Sequence, residues 1–194
     1  MSDYITNIKN RSKNRFILGL LARTKRYIIN TYIIWLARKN GAKIGLNSTI
    51  PYRLAKIANR NLNIGNHTSI QSHLIDLRIP IYIGNNVIIG SGVEIITVSH
   101  NVDSTEWEHR YYGCEIRDFS WLATRSFILP SCRIIGFGAV VAVGATVFKN
   151  VENMAIVSGN PAQFLRKREK VHEDLCIESL LGNDFISYYQ ARMS

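Results

Sequence analysis

Aliphatic residues return at every sixth position along much of this chain, most clearly at Ile83, Ile89 and Ile95, with Gly84 and Gly90 directly behind the first two. The beat resumes at Ile116, Leu122 and Ile128, and again at Ile135, Val141 and Val147. A helix repeats every ~3.6 residues and a lone strand every ~2, so neither sustains this spacing over many cycles. A parallel β-solenoid does, with about eighteen residues per coil shared among three faces. Gly, Asn and Ser between the inward positions suit corners, where positive φ is common and room for side chains is small.

The earlier coils start near Ile44-Gly45 with Ile50 and near Ile64-Gly65 with Ile70, in looser register. From Ile83 the phase is firm up to His100. Residues 101 to 114 then break it with charges and large aromatics, an excursion long enough to suggest a functional loop. One extra residue falls between Pro130 and Ile135, which a local bulge would absorb. The last coil ends near Val151. These signals divide the chain into a helical N-terminal segment, 1–43, the solenoid, 44–157, and a C-terminal turn and helix, 158–194. Gly41 is the stop signal of the first. A helix is predicted to follow Pro161 and cap the open end of the solenoid, with Leu175, Ile177, Leu180 and Leu181 as its apolar face.

A length of 194 residues suits one domain. The net charge of +10 is concentrated: residues 1–43 carry Lys9, Arg11, Lys13, Arg15, Arg23, Lys25, Arg26, Arg38, Lys39 and Lys43 against Asp3, leaving the remainder nearly neutral. A nucleic-acid binder would spread such charge over its folded surface among aromatics, so no nucleic-acid partner is expected. Cations beside Phe16, Tyr27 and Trp35 leave two readings of the N-terminal segment: packing on the solenoid or a neighbouring subunit, or peripheral contact with a membrane. Neither of its apolar runs, Phe16 to Ala22 and Tyr27 to Ala37, reaches the ~20 residues needed to span a bilayer, and no cleavage pattern of a signal peptide follows. Cys114, Cys132 and Cys176 show no CxxC spacing, which points to a reducing cytoplasm rather than a disulfide framework or structural zinc.

Several short motifs add to the repeat: Ser99-His100-Asn101, Trp121-Leu122-Ala123, Ile128-Leu129-Pro130, the run from Ile135-Gly136 to Lys149-Asn150-Val151, and Gly159-Asn160-Pro161-Ala162. With these the chain, from Gly41 to about Arg168, resembles the hexapeptide-repeat acyltransferases, and among them the colanic-acid and galactoside O-acetyltransferases. The resemblance implies a mainly β fold, a left-handed parallel β-helix, assembled as a homotrimer with acetyl-CoA held between adjacent solenoids. It also implies direct transfer of the acetyl group to an acceptor hydroxyl, as on a surface polysaccharide or its lipid-linked precursor. Such chemistry needs a base of near-neutral pKa, and His100 is the matching residue.

By the same resemblance Thr124 and Val143 offer backbone N–H groups to the oxyanion, while Ala123 and Ala142 let the pantetheine arm approach the backbone. Lys149 and Arg166 match cofactor-phosphate contacts, with Lys167 and Arg168 as weaker candidates in a charge run. Trp121 either flanks the cofactor groove or packs between subunits. The pattern fails one coil before the histidine, where Ile70-Gln71-Ser72-His73 replaces the Asn and acidic residues of the galactoside enzymes. Gln71 or His73 could take over acceptor binding, as could Asp103, Glu106, His109, Arg110 and Tyr111 in the excursion. No metal is expected. Alternatives are N-acetylation of an amino sugar, a carbonic-anhydrase-like metal site drawn from His67, His73, His100 and His109, or a scaffold without catalysis.

Overall fold

The computed structural model describes residues 3–172 and 184–193, and in it the six-residue beat becomes three parallel sheets wound around one core. The first coil supplies β1 (Lys43–Ile44), and the second β2 (Leu62–Ile64) and β3 (Ser69–Ile70). The third is complete: β4 (Ile81–Ile83), β5 (Ile88–Ile89) and β6 (Glu94–Ile95). After an antiparallel hairpin of β7 (Val98–His100) and β8 (His109–Tyr111), the fourth coil holds β9 (Cys114–Ile116), β10 (Trp121–Leu122) and β11 (Phe127–Ile128). The fifth holds β12 (Ile134–Ile135), β13 (Val140–Val141) and β14 (Thr146–Val147). Then follow β15 (Ala155–Ser158) and β16 (Gln163–Lys167).

Strand pairing places Ile70, Ile89, Leu122, Val141 and Val157 in one inward file, and Ile64, Ile83, Ile116 and Ile135 in another. All are buried in a single core. Burying each of these side chains contributes about 1.5–3 kcal/mol, which holds coil on coil. The residue behind the inward isoleucine explains the recurrent Ile-Gly: a Cβ on Gly65 would meet the Gly84 carbonyl carbon at 2.7 Å. One corner is further tied by side-chain amides and a carboxylate. The N–H groups of Leu46, Asn66 and Asn85 donate to Asn66, Asn85 and Asp118 of the next coil, each at 2.8 Å.

The N-terminal segment is helical and divides into α1 (Asp3–Lys9) and α2 (Lys13–Lys39), because the Ser12 side chain caps a new start by accepting from the Arg15 N–H at 3.4 Å. Two local expectations need correction. In the first coil the third face is replaced by a short helix, α3 (Tyr52–Ile57), started by Pro51 and burying Leu54 and Ala55. After Pro161 the chain forms β16 rather than a helix, and pairs antiparallel with β15. There it meets unpaired strand-edge groups of the last coil, a stronger local demand than helix propensity.

The described C-terminal helix, α4 (Phe185–Met193), packs on α1 and α2 rather than capping the far end of the solenoid. Tyr188 is fully buried and stacks on Phe16 at 5.0 Å between ring centroids, while Arg23 bonds the buried Asp184 at 2.8 Å. Leu175, Ile177, Leu180 and Leu181 lie outside the described residues. The extra residue after Pro130 is taken up by a turn, in which Asn150 accepts from the N–H groups of Arg133 and Ile134 at 2.8 and 3.0 Å.

Candidate active site

The excursion begins where Thr97 leaves the third coil. Its N–H donates to the Asp76 carboxylate at 3.2 Å and its hydroxyl to the Asp76 carbonyl at 3.3 Å, which anchors the root of the hairpin to the coil below. Strand β7 then pairs with β8 so that His100 lies opposite His109. Beyond the strand, Asn101 closes the loop: its N–H donates to the Glu108 carbonyl at 2.9 Å and its amide to the Glu108 carboxylate at 2.6 Å. Trp107 takes a positive φ of 52° in this loop, which turns its carbonyl back onto His100.

His100 Nδ1 stands 2.8 Å from that carbonyl oxygen. A carbonyl can only accept, so in the neutral ring the proton sits on Nδ1 and Nε2 keeps the lone pair. The imidazole is held on both sides. Its centroid lies 5.2 Å from the Trp107 ring and 4.3 Å from His109, and Tyr111 continues the row 5.9 Å beyond His109. The structure therefore gathers His100, His109 and Tyr111, with Trp107, into one half-open ladder. Asp103 sits at the exposed loop tip. Gln71 and His73 lie at a corner of the second coil, outside the ladder.

Two carboxylates hold this hairpin in their ionised form. Hydrogen bonds from Ser104 and Asn101 bring Glu108 from 4.5 down to about 2. Burial opposes the ionised form of Asp76, but hydrogen bonds from Arg78 and Thr97 outweigh it and hold this group also at about 2. Burial does prevail at Cys114, whose thiol is pushed up to about 12, and at Cys132, likewise about 12, so neither is a nucleophile at neutral pH.

The other candidates line a second corner and the sheet beside it. Gln71, Gly90, Ala123 and Ala142 occupy equivalent positions in successive coils, each donating its N–H to the next coil at 2.8–2.9 Å. The following residues, Thr124 and Val143, are exposed at the turn. This corner lacks the Asn and Asp ladder of the first. Among the described residues neither the Thr124 nor the Val143 N–H meets a protein acceptor, so both can serve a ligand oxygen. On the outer face of the adjoining sheet, Trp121 is in register with Val140, Ile156 and Arg166 across β10, β13, β15 and β16.

Lys149 belongs to a separate cleft of about 510 Å³ between the fifth coil and β16, lined also by Phe148, Pro161, Phe164 and Lys167. Strand alternation sends Arg166 and Lys167 to opposite faces, so the cation that joins Lys149 is Lys167. Arg168 is engaged in holding the fold, donating to the carbonyls of Phe119 and Gly138 at 3.0 and 3.2 Å. Among the described residues no three His, Cys, Asp or Glu side chains converge as a metal site.

Comparison with known proteins bears on this arrangement. No family model matches the chain. It is 31% identical over 136 residues to the Escherichia coli K12 protein WcaF, named a colanic acid biosynthesis acetyltransferase, covering 69% of this chain and 74% of that one. The chain belongs to the hexapeptide-repeat acetyltransferase family. Galactoside O-acetyltransferase of Lactococcus lactis is 28% identical over 141 residues, 68% of this chain and 66% of that protein. A Schizosaccharomyces pombe protein named an acetyltransferase is 35% identical over 95 residues, 46% of this chain and 44% of that one. The chain thus spans less than two thirds of the length of these last two relatives. Among solved structures, a hexapeptide-repeat acetyltransferase of Vibrio cholerae complexed with acetyl coenzyme A superposes with a TM-score of 0.54 at 22% identity, over 87% of this chain and 91% of that one. A galactoside acetyltransferase in complex with coenzyme A gives 0.56 at 17% identity, over 87% and 84%. These likenesses show the β-helix fold of the family.

Sequence reasoning missed three features of the candidate site. The Trp107 carbonyl is main chain, and nothing in a sequence marks which carbonyl a loop will turn inward. Asp76 lies in a coil of loose register, and only stacking brings it under Thr97. Lys167 could have been preferred to Arg166 had the segment after Pro161 been read as a strand, with side chains alternating from face to face.

Proposed function

We propose that this family member is an acetyl-CoA-dependent O-acetyltransferase that modifies a sugar hydroxyl of a surface polysaccharide or its precursor, with His100 as general base. The observation that carries the reading is the hydrogen bond between His100 Nδ1 and the Trp107 carbonyl, which leaves Nε2 unprotonated and aimed away from its own backbone. Nε2 takes the hydroxyl proton as the acceptor oxygen attacks the thioester carbonyl carbon. The C–S bond then breaks, and the departing thiolate recovers the proton from the imidazolium. The uncommitted N–H groups of Thr124 and Val143 suit the oxyanion, and the small Ala123 and Ala142 suit close passage of pantetheine.

Lys149 and Arg166 are the cations for the phosphates of the nucleotide end, joined by Lys167, which in the free protein is paired with Glu152 at 2.9 Å. His109, Tyr111 and Asp103 face the acceptor, with Gln71 and His73 contributing across the groove. The assembly is a homotrimer of left-handed solenoids, working in the cytoplasm, with Trp121 in the intersubunit groove. Sugar acceptors fit because imidazole and phenol groups, stacked in a row, offer both hydrogen bonds and flat apolar surface.

The test is release of CoA from acetyl-CoA in the presence of a panel of nucleotide sugars and polysaccharide repeat units. His100→Ala should lower turnover on any productive acceptor by ~10²- to 10⁴-fold, with the unfolding midpoint unchanged. Near-normal transfer by His100→Ala would sink the assignment, and absence of CoA binding together with absence of release would sink the enzyme reading. A base-stable product would favour amide formation on an amino sugar.

A further inference from the structure

The helix α2 has two apolar faces, and the fold uses one. At about 100° per residue its inward face carries Phe16, Leu20, Ile34 and Ala37, which meet α4 and the first coil. On the opposite side Ile17, Leu18, Leu21, Ile28, Tyr32 and Trp35 fall within an arc of about 100° and are exposed, Leu21 by 63% and Ile28 by 61%. From Ile17 to Trp35 this stripe runs about 27 Å along the helix. No helix of the described residues is long and apolar enough to cross a membrane.

Charge says what could cover the stripe. Lys13 and Arg15 flank its first turn, Lys25 lies within it, and Lys39 stands 5.3 Å from the ring of Trp35 at its end. No carboxylate occurs between Asp3 and Asp76, so nothing on this part of the chain neutralises them. A second copy of the face would bring cation against cation with no acid to pair. An anionic lipid surface supplies both missing partners: acyl chains for the apolar stripe, and headgroup phosphates for the lysines and arginines that border it, with Tyr32 and Trp35 at the boundary.

We infer that α2 is a membrane-surface helix, lying in the plane of an anionic bilayer with Ile17, Leu21, Ile28 and Trp35 inserted and the solenoid held at the interface. The arrangement would bring a lipid-linked acceptor to the protein, but the inference rests on the helix alone. Its assay contains no acetyl donor, so its failure and that of the acetyl-transfer reading are separate results.

The full chain is tested by co-flotation with vesicles of phosphatidylcholine containing about a third phosphatidylglycerol, against phosphatidylcholine alone, at low and high salt. Binding should favour the anionic vesicles at least tenfold and weaken with salt, since each cation at the surface contributes about fivefold. Leu21→Glu with Ile28→Glu should lower partition by about 10²-fold through lost apolar burial. Lys25→Glu with Lys39→Glu, which leaves the apolar stripe intact, should lower it at least ~25-fold and decides the matter if the first variant fails to fold. Equal binding to neutral vesicles, no flotation of the wild type, or full binding by either well-folded variant overturns the inference. Flotation absent in the wild type, with the Leu21/Ile28 variant breaking an oligomer in sedimentation, would make this face a contact between copies instead.

Discussion

Replacing Gly65 by Ala adds a single methyl group at a place where two coils touch through their backbones. The new Cβ would lie 2.6 Å from Asn85 Oδ1, 2.7 Å from the Gly84 carbonyl carbon and 2.8 Å from its oxygen. Ordinary contact requires ~3.5 Å or more, and two of the three atoms are main chain that cannot rotate away. The coils must separate locally by several tenths of an ångström. Overpacking of this kind costs about 1–3 kcal/mol. The movement also strains the hydrogen bonds that cross the same gap: Gly65 N–H to the Ile83 carbonyl at 2.8 Å, Asn66 N–H to Asn85 at 2.8 Å, and the Thr68 hydroxyl to the Gly84 carbonyl at 2.7 Å. Weakening one of them adds about 1 kcal/mol. The sum of ~2–4 kcal/mol should lower the melting midpoint by roughly 5–15 °C for a chain of this size. Gly144→Ala is the control, because a Cβ there meets nothing within 4 Å and only the φ of 67° resists it. That should cost about 1 kcal/mol. Calorimetry on both variants gives the comparison. If Gly65→Ala melts no lower than Gly144→Ala, steric stacking is not the reason for the Ile-Gly repeat.

Acid should loosen the hairpin before the solenoid. Both carboxylates that hold it, Glu108 and Asp76, have folded pKa values depressed to about 2, so their contribution is complete above their ordinary pKa values and is lost as pH falls from about 4.5 toward 2. Amide exchange over residues 97–112, corrected for intrinsic rates, should rise in that window and stay flat from pH 5 to 8; a flat profile down to pH 2.5 contradicts the anchoring. In the cleft, Lys149→Ala and Lys167→Ala should each raise KM for acetyl-CoA about fivefold and leave kcat within about twofold, since exposed cations contribute to binding in ground and transition states alike. An unchanged KM in the double variant would remove this cleft from the cofactor site.

The inward file Ile83, Ile89 and Ile95 could be read directly from the sequence, because a six-residue period is a local property and the core it builds is the sum of identical local choices. The same holds for the break after His100, whereas His100 as candidate base came from the family resemblance and not from the period. Local reading falters where a contact spans a coil or more. Ser12 divides the helical N-terminal segment in two, and β16 is a strand because β15 offers it unpaired groups, a demand no residue after Pro161 announces. Asp76 matters to His100 only because about twenty residues of winding return the chain beneath Thr97. The Trp107 carbonyl fixes the histidine tautomer through a backbone angle. Composition marked the N-terminal segment as basic and left its role open between packing and a membrane. Only the packed α2 shows which face is spent on packing, against α4 and the first coil, and which stays exposed, since which apolar residues a helix hides is decided by what lies against it.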